Sequence, residues 1–186
     1  ISDDGFLNAG RESYASKYNP LTAVRYIPNA PSDSLGILFN SNQMCRSYNY
    51  SCSSSTIAIL EAYRDLQKGQ IDCAIVGGTE YIDDTAGAIF KSFDLVGMLT
   101  YGNQAPKESC RPFDEHRNGF LFSQGGSGSL ILETLESAKE RGAKIYGEIK
   151  GGAEVFESYS MLSPNPDGIP IYEVINKALE SSDLTH

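Results

Sequence analysis

Two periods of apolar and polar positions alternate along this chain, and the helical one is clearest over residues 53–68. There Ile59, Ala62, Tyr63 and Leu66 fall at i, i+3, i+4 and i+7, drawing one apolar stripe down a helix. Ser53, Ser54 and Ser55 supply candidate N-caps, and Gly69 after Lys68 supplies a stop. Residues 71–76 follow as a largely apolar strand ended by Gly77 and Gly78, and a strand apolar on both faces predicts a covered, parallel sheet. Weaker patterns predict a short helix over 34–39 after Pro31 and a strand over 43–51, where Tyr48 and Tyr50 alternate. A helix is predicted over 85–94, with short strands over 119–122 and 128–132. A charged helix over 135–141 closes at Gly142, an alternating strand covers 144–149, and a last helix covers 171–180. Residues 1–30, 101–110 and 151–168 are polar or broken by proline and read as loops, the first with short helices. Strands alternating with helices make the fold class α/β.

Composition narrows the function classes. With 186 residues, 40% hydrophobic and 21% charged, the chain holds a packed core and is not a disordered tail. No apolar run approaches the ~20 residues of a membrane span, and the opening residues, with Asp3, Asp4 and two glycines among the first ten, are not expected to be a signal peptide. Fifteen basic against 24 acidic residues give a net charge of −9, which disfavours nucleic acid as a partner and leaves room for a local basic patch facing an acidic one. The chain starts at Ile1 and reads as processed, trimmed or a fragment. Its cysteines are Cys45, Cys52, Cys73 and Cys110, its only histidines His116 and His186, and no C-x-x-C pair occurs. These spacings fit neither a zinc site nor a disulfide scaffold. No metal is expected, and reduced thiols in a cytoplasmic protein are the simplest reading.

One thiol has a local reason to react. Cys52 falls between the strand at 43–51 and the helix at 53–68. A helix start offers unpaired N–H groups and the positive end of the macrodipole, which favour the nucleophilic thiolate and an oxyanion formed during attack on a thioester or amide. Local context leaves a buried structural cysteine open as the other reading. Cys73, inside the apolar strand, is expected to be buried and inert, with Cys45 and Cys110 as bystanders. The glycines at 125–128 lack the Lys-Ser/Thr of a phosphate loop and the G-x-S-x-G elbow, and read as a tight turn with close packing. Asn49-Tyr50-Ser51 is a chance sequon, Asp3–Asp4 and Asp83–Asp84 are solvated loop charges, and His116 is a loop histidine.

Several motifs in order carry a family resemblance. Ser51-Cys52-Ser53-Ser54-Ser55 resembles the nucleophile motif of the β-ketoacyl synthases, the condensing enzymes of fatty-acid and polyketide synthesis. Asp72 to Glu80, reading Asp-Cys-Ala-Ile-Val-Gly-Gly-Thr-Glu, resembles that family's Asp-x-x-x-x-Gly-Gly-x-Glu strand and turn. Arg111-Pro112-Phe113-Asp114 with Arg117-Asn118-Gly119-Phe120 resembles its Arg-Pro-Phe-Asp and Arg-Asp-Gly-Phe pair. The stretch 138–147 and Met161-Leu162-Ser163-Pro164 resemble two further family stretches. The likeness runs from about Lys17 to the end and is densest over 51–151.

The resemblance implies a thiolase-like, layered α-β-α-β-α fold of two similar halves, of which this chain is the incomplete, central portion. Residues 1–150 would be the later part of the N-terminal half, and 151–186 a connecting loop and the start of the C-terminal half. It also implies a decarboxylative Claisen condensation. Cys52 would take an acyl group from the phosphopantetheine arm of an acyl carrier protein, and malonyl-carrier would then be decarboxylated and attack. No cofactor beyond that substrate arm is implied. Phe93 resembles an aromatic lining the acyl pocket, with an ordinary core phenylalanine as the other reading. Leu162 and Ser163 fall on the loop near the pantetheine arm. Lys17 resembles a basic residue facing the acidic carrier, a solvated lysine being the alternative. The segment 43–51 resembles the strand that pairs across a dimer, so a homodimer or a ketosynthase-like heterodimer is implied.

The departures matter as much. The family's two histidines and lysine fall beyond His186, and His116 cannot replace them. Asn118 stands for an Asp, Ser51 for an Ala, Leu162 for a Thr, and Met44-Cys45-Arg46 for Gly-Pro-Ser. Gly97 stands where an arginine that contacts the carrier often lies, and 124–128 follows the family's glycine pattern loosely. Such changes keep in view a non-catalytic partner of the chain-length-factor type, although those subunits usually lack the cysteine that this chain retains. A cysteine hydrolase on another α/β fold lacks a placeable histidine partner.

Overall fold

The computed structural model describes residues 24, 27–82, 84, 86–101, 106–161 and 163–184. Lys17, Leu162 and His186 lie outside the described residues. The chain divides into two compact units, Ile1–Ser54 and Ser55–His186.

In the first unit, helix α1 (Ala30–Leu38) starts earlier than the predicted 34–39, because Pro31 fits the first turn, where no N–H is needed. Over the predicted strand at 43–51 the described residues of this single chain form no ladder, and the expected end of the strand is corrected: Ser51 opens a 3-10 turn, Ser51–Ser53. Alternation favours extended backbone, but a strand also needs a neighbour's peptide groups. This segment is held against α1 by side chains instead. Ser32 and Ser47 share a hydroxyl hydrogen bond of 2.8 Å. Gly36 leaves room for the Cys45 sulphur, which would lie 2.6 Å from any added Cβ.

The second unit is built around helix α2 (Ser54–Gln67), which begins at the end of the first. Gly69 closes it in the left-handed conformation, its N–H reaching the Leu66 carbonyl. Ile57, Leu60 and Ala62 are its buried apolar residues, so the burial centre is rotated from the predicted stripe, of which Ile59, Tyr63 and Leu66 are half-buried. The chain at 150–154 causes the rotation by packing along the helix. The Tyr63 hydroxyl donates to the Lys150 carbonyl at 2.7 Å, and Arg64 pairs with Glu61 and with Glu154, the latter at 3.0 Å. Gly152 admits Leu60, and its N–H and carbonyl both bond Ser181, the last residue of the C-terminal helix Ile169–Ser181. The predicted strand at 144–149 joins no ladder among the described residues.

Strands β1 (Cys73–Tyr81) and β2 (Gly125–Glu133) pair antiparallel, from Cys73 opposite Glu133 to Tyr81 opposite Gly125. This corrects three expectations. The sheet of the described residues is an antiparallel pair, not parallel; β1 runs on through Gly77 and Gly78; and the glycines at 125–128 lie in a strand, not a tight turn. The reason is close approach. A Cβ at Gly77 would sit 2.1 Å from the Gly128 carbonyl oxygen, and one at Gly78 would sit 2.8 Å from the Ser55 Cβ at the start of α2. Glycine here ends no strand; it lets one strand touch both its partner and the helix.

The ribbon is wet on both sides. Val76 is buried, but Ile75, Leu130 and Ile131 are 42%, 51% and 63% exposed. Adjacent Leu130 and Ile131 point to opposite faces, so neither face is covered, and each ~100 Å² of apolar surface left in water forgoes ~2.5 kcal/mol. Two-stranded ribbons need more cover than this to be stable. The 186-residue polypeptide by itself is therefore expected to associate or to melt without cooperativity; a sharp, concentration-independent transition of a monomer in sedimentation and calorimetry would contradict this.

Helix α3 (Ala88–Leu95) begins after Gly87, and helix α4 (Leu135–Glu140) is capped by Thr134, which accepts the Ser137 N–H. The helix Ile169–Ser181 is α5. No helix of the described residues is long and apolar enough to cross a membrane. At the start of α3 Asp84 is no mere solvated loop charge: its carboxylate accepts the N–H groups of Ile89 at 3.0 Å and Phe90 at 2.8 Å. These bonds, that from Phe90 foremost, hold its carboxyl below the usual carboxylate range. A folded-state value below the unfolded one gives stability that is present above about 3.9 and lost as pH falls through the folded value. Asp84→Asn is expected to flatten the acid limb of α3 unfolding, followed by amide exchange at Ile89 and Phe90; an unchanged limb would contradict the assignment.

Candidate active site

The candidate nucleophile sits where backbone strain and a helix start coincide. Cys52 is the middle residue of the 3-10 turn Ser51–Ser53, which runs directly into α2. Ser51, just before it, has φ of 50°, a left-handed conformation costing a serine on the order of 1–2 kcal/mol. Local hydrogen bonds offset that cost. The Ser54 hydroxyl donates to the Ser51 carbonyl at 2.7 Å and accepts the Tyr50 N–H at 2.8 Å, while the Ser53 N–H reaches the Tyr50 carbonyl at 3.1 Å. Ser54 thus grips the turn that carries Cys52, a role its reading as an N-cap did not contain. The sulphur is exposed, not sealed in a core, and Cys52 lies two residues before the first residue of α2, Ser54, whose N–H is taken by the Ser51 carbonyl. An oxygen carrying negative charge beside the sulphur would face the positive end of the α2 dipole.

Exposure alone does not single out this thiol, since Cys45, Cys73 and Cys110 are exposed as well. For Cys73 this corrects the expectation of burial: it lies at the exposed end of β1, opposite Glu133. Partial desolvation, and then the Glu133 charge, push its thiol up, so the inertness expected of it has an electrostatic basis. His116 is an exposed loop residue whose N–H bonds the Asp114 carboxylate at 2.7 Å.

Phe93, half-buried on α3, belongs to a ring cluster. It meets Phe120 edge-on with centroids 5.3 Å apart and Phe122 at 6.3 Å, while Phe90 meets Phe122 edge-on at 5.3 Å. The predicted strand at 119–122 reduces to a single parallel bridge between Leu99 and Phe120. Phe90, Phe120 and Phe122 were missed by sequence reasoning; the three-residue spacing of Phe90 and Phe93 was the one available signal. Ser163 lies exposed on a loop, its N–H directed to the Ser160 hydroxyl at 3.3 Å. Among the described residues no group of three His, Cys, Asp or Glu side chains could hold a metal ion.

Comparisons with known proteins agree with the motif reading. The family model for the N-terminal domain of the β-ketoacyl synthases matches residues 7–138. The chain is 33% identical, over 89% of its length, to 3-oxoacyl-[acyl-carrier-protein] synthase 2 of Mycobacterium bovis. It is 41% identical over 72% of its length to the protein of that name from Synechocystis. It spans 39% and 31% of the lengths of these curated relatives. Among solved structures, the AntDE:AntF assembly is a type II PKS acyl-carrier protein in complex with its ketosynthase bound to the hexaketide. It superposes with a TM-score of 0.80 at 25% identity, covering 96% of this chain and 43% of the other. A β-ketoacyl synthase from Burkholderia phymatum gives a TM-score of 0.74 at 25% identity, covering 97% and 43%. The mixed α/β fold is thus one shared with ketosynthases.

Proposed function

Because this chain belongs to the β-ketoacyl synthase family, we propose that it carries the acyl-accepting nucleophile, Cys52, of a 3-oxoacyl-[acyl-carrier-protein] synthase. The observation that supports this most is the exposed Cys52 sulphur in a strained turn at the head of α2. The Cys52 thiolate attacks the carbonyl carbon of an acyl thioester on a carrier's phosphopantetheine arm. A carbon–sulphur bond forms to Cys52, and the arm's sulphur leaves with the electron pair of the bond it loses and takes up a proton. Malonyl-carrier then loses CO2, and the electron pair of the broken carbon–carbon bond attacks the acyl carbonyl. Loss of the Cys52 sulphur from that adduct gives the 3-oxoacyl-carrier and restores the thiolate. In this reading Phe93 lines the acyl pocket, and Leu162 and Ser163 border the pantetheine arm. An acidic acyl carrier protein is the partner, no cofactor takes part, and the working assembly is a homodimer or ketosynthase-like heterodimer.

The test is acyl transfer by the protein as isolated from its source. With acyl-carrier thioester and no malonyl substrate, a burst of about one free carrier thiol per Cys52 is expected; no burst would overturn the proposal. CO2 release from malonyl-carrier by the 186-residue polypeptide alone is expected at background. Its histidines are His116, in an exposed loop, and His186, and general acid–base help is worth ~10²–10⁴-fold. Release well above background would refute that expectation.

A further inference from the structure

We propose that Asn118 is a positioning residue: it clamps the chain at 98–101 to the chain at 118–120, sets Phe120 against Phe93, and so discriminates among acyl chains by length. This rests on the reading of Phe93 as a wall of the acyl pocket.

Among the described residues a single backbone bridge sets the register of the two segments. In it the Phe120 N–H donates to the Met98 carbonyl and the Thr100 N–H to the Phe120 carbonyl, each at 3.0 Å. Asn118 adds two side-chain bonds across the same gap. Its amide nitrogen donates to the Tyr101 carbonyl at 2.8 Å, and its amide oxygen accepts the Thr100 hydroxyl at 2.6 Å. Gly119 makes the approach possible, since a Cβ there would meet the Leu99 carbonyl carbon at 2.6 Å. Leu99, between these contacts, is buried.

The clamped segment is also tied to the helix that carries the rings. The Tyr101 hydroxyl donates to the Asp94 carboxylate on α3, which also pairs with Lys91 at 2.6 Å. Lys91 first, and then the Tyr101 hydroxyl, hold the Asp94 carboxyl below its usual range, so it is a charged acceptor. Phe93 on α3 and Phe120 in the bridge are therefore linked by one run of bonds through Tyr101 and Asn118. An amide is required at 118. A carboxylate, the residue of the resembled family motif, could accept from Thr100 but could not donate to Tyr101, and would set two acceptors against each other. An acyl chain that ends before the rings does not sense their placement; a longer one does.

Asn118→Asp removes the donor and keeps the shape. In the protein as isolated from its source, the ratio of Cys52 acylation by long-chain to short-chain acyl-carrier is expected to fall about fivefold or more. In the Phe93→Ala background the same substitution is expected to change it less than twofold, because the wall it positions is gone. Thr100→Val, which removes one bond of the clamp, should lower the ratio by less. The second readout is the proton contact between the Phe93 and Phe120 rings in phenylalanine-labelled protein, expected to weaken in Asn118→Asp. An unchanged ratio, or equal falls in both backgrounds, would overturn the proposal. Should the unsubstituted protein take no acyl group, the reading of Cys52 fails, and the ring contact decides for Asn118: its loss in Asn118→Asp supports the clamp, its retention overturns it.

Discussion

Replacing Cys52 by alanine is expected to abolish acyl transfer, lowering the rate of carrier-thiol release by at least about a thousandfold. The size follows from the chemistry. Alanine leaves the turn, the helix start and its N–H groups in place but removes the atom that bonds the acyl carbon. What remains is hydrolysis by water, with no covalent intermediate to divide the reaction into two easier steps. The exposed position keeps the fold out of the comparison, because an exposed side chain can be shortened without opening a cavity. Alanine at Cys45, Cys73 or Cys110 is expected to change the rate less than threefold. Loss of activity shared equally among the four variants would point to a general effect of thiol removal.

The second large effect is at a distance. Gly78→Val is expected to slow Cys52 acylation by about 100-fold while Cys52 itself is untouched. A Cβ at Gly78 would lie 2.8 Å from the Ser55 Cβ and 3.1 Å from its Oγ, closer than unbonded atoms tolerate. Either β1 moves, straining its ladder with β2, or the first turn of α2 moves. Ser54 and Ser55 share that turn, and Ser54 holds the Tyr50 N–H and Ser51 carbonyl on either side of the strained residue. Displacing a reacting group by about 1 Å can cost 10²-fold in rate. Gly77→Ala separates fold from site. Its Cβ would press the Gly128 carbonyl oxygen at 2.1 Å, so it is expected to destabilise the protein as isolated from its source by about 2 kcal/mol in denaturant titration. A Gly78→Val protein with normal acylation would show that the head of α2 does not set the sulphur's position.

What was legible in the sequence had its cause nearby in the chain. Helix α2, its closing Gly69, α4 with Gly142 after it, and α5 follow from stripes and stop residues a few positions apart. Cys52 at a helix start was legible for the same reason. The features that escaped depend on distant partners. Gly77 and Gly78 look like a strand end until β2 and Ser55 stand against them, and the glycines at 125–128 look like a turn until β1 is opposite. The segments at 43–51 and 144–149 alternate as strands do, yet alternation cannot supply a ladder partner. The ring cluster needed residues some thirty positions apart, and the left-handed Ser51 had no glycine or asparagine to announce it.

The most direct test asks which of four exposed thiols the substrate chooses. The protein is exposed briefly to acyl-carrier thioester, digested, and the acyl group located by mass spectrometry among Cys45, Cys52, Cys73 and Cys110. The account predicts the acyl group on Cys52 alone, because the head of α2 and not exposure confers reactivity. Acyl groups spread over the four thiols, or confined to one of the other three, would contradict it.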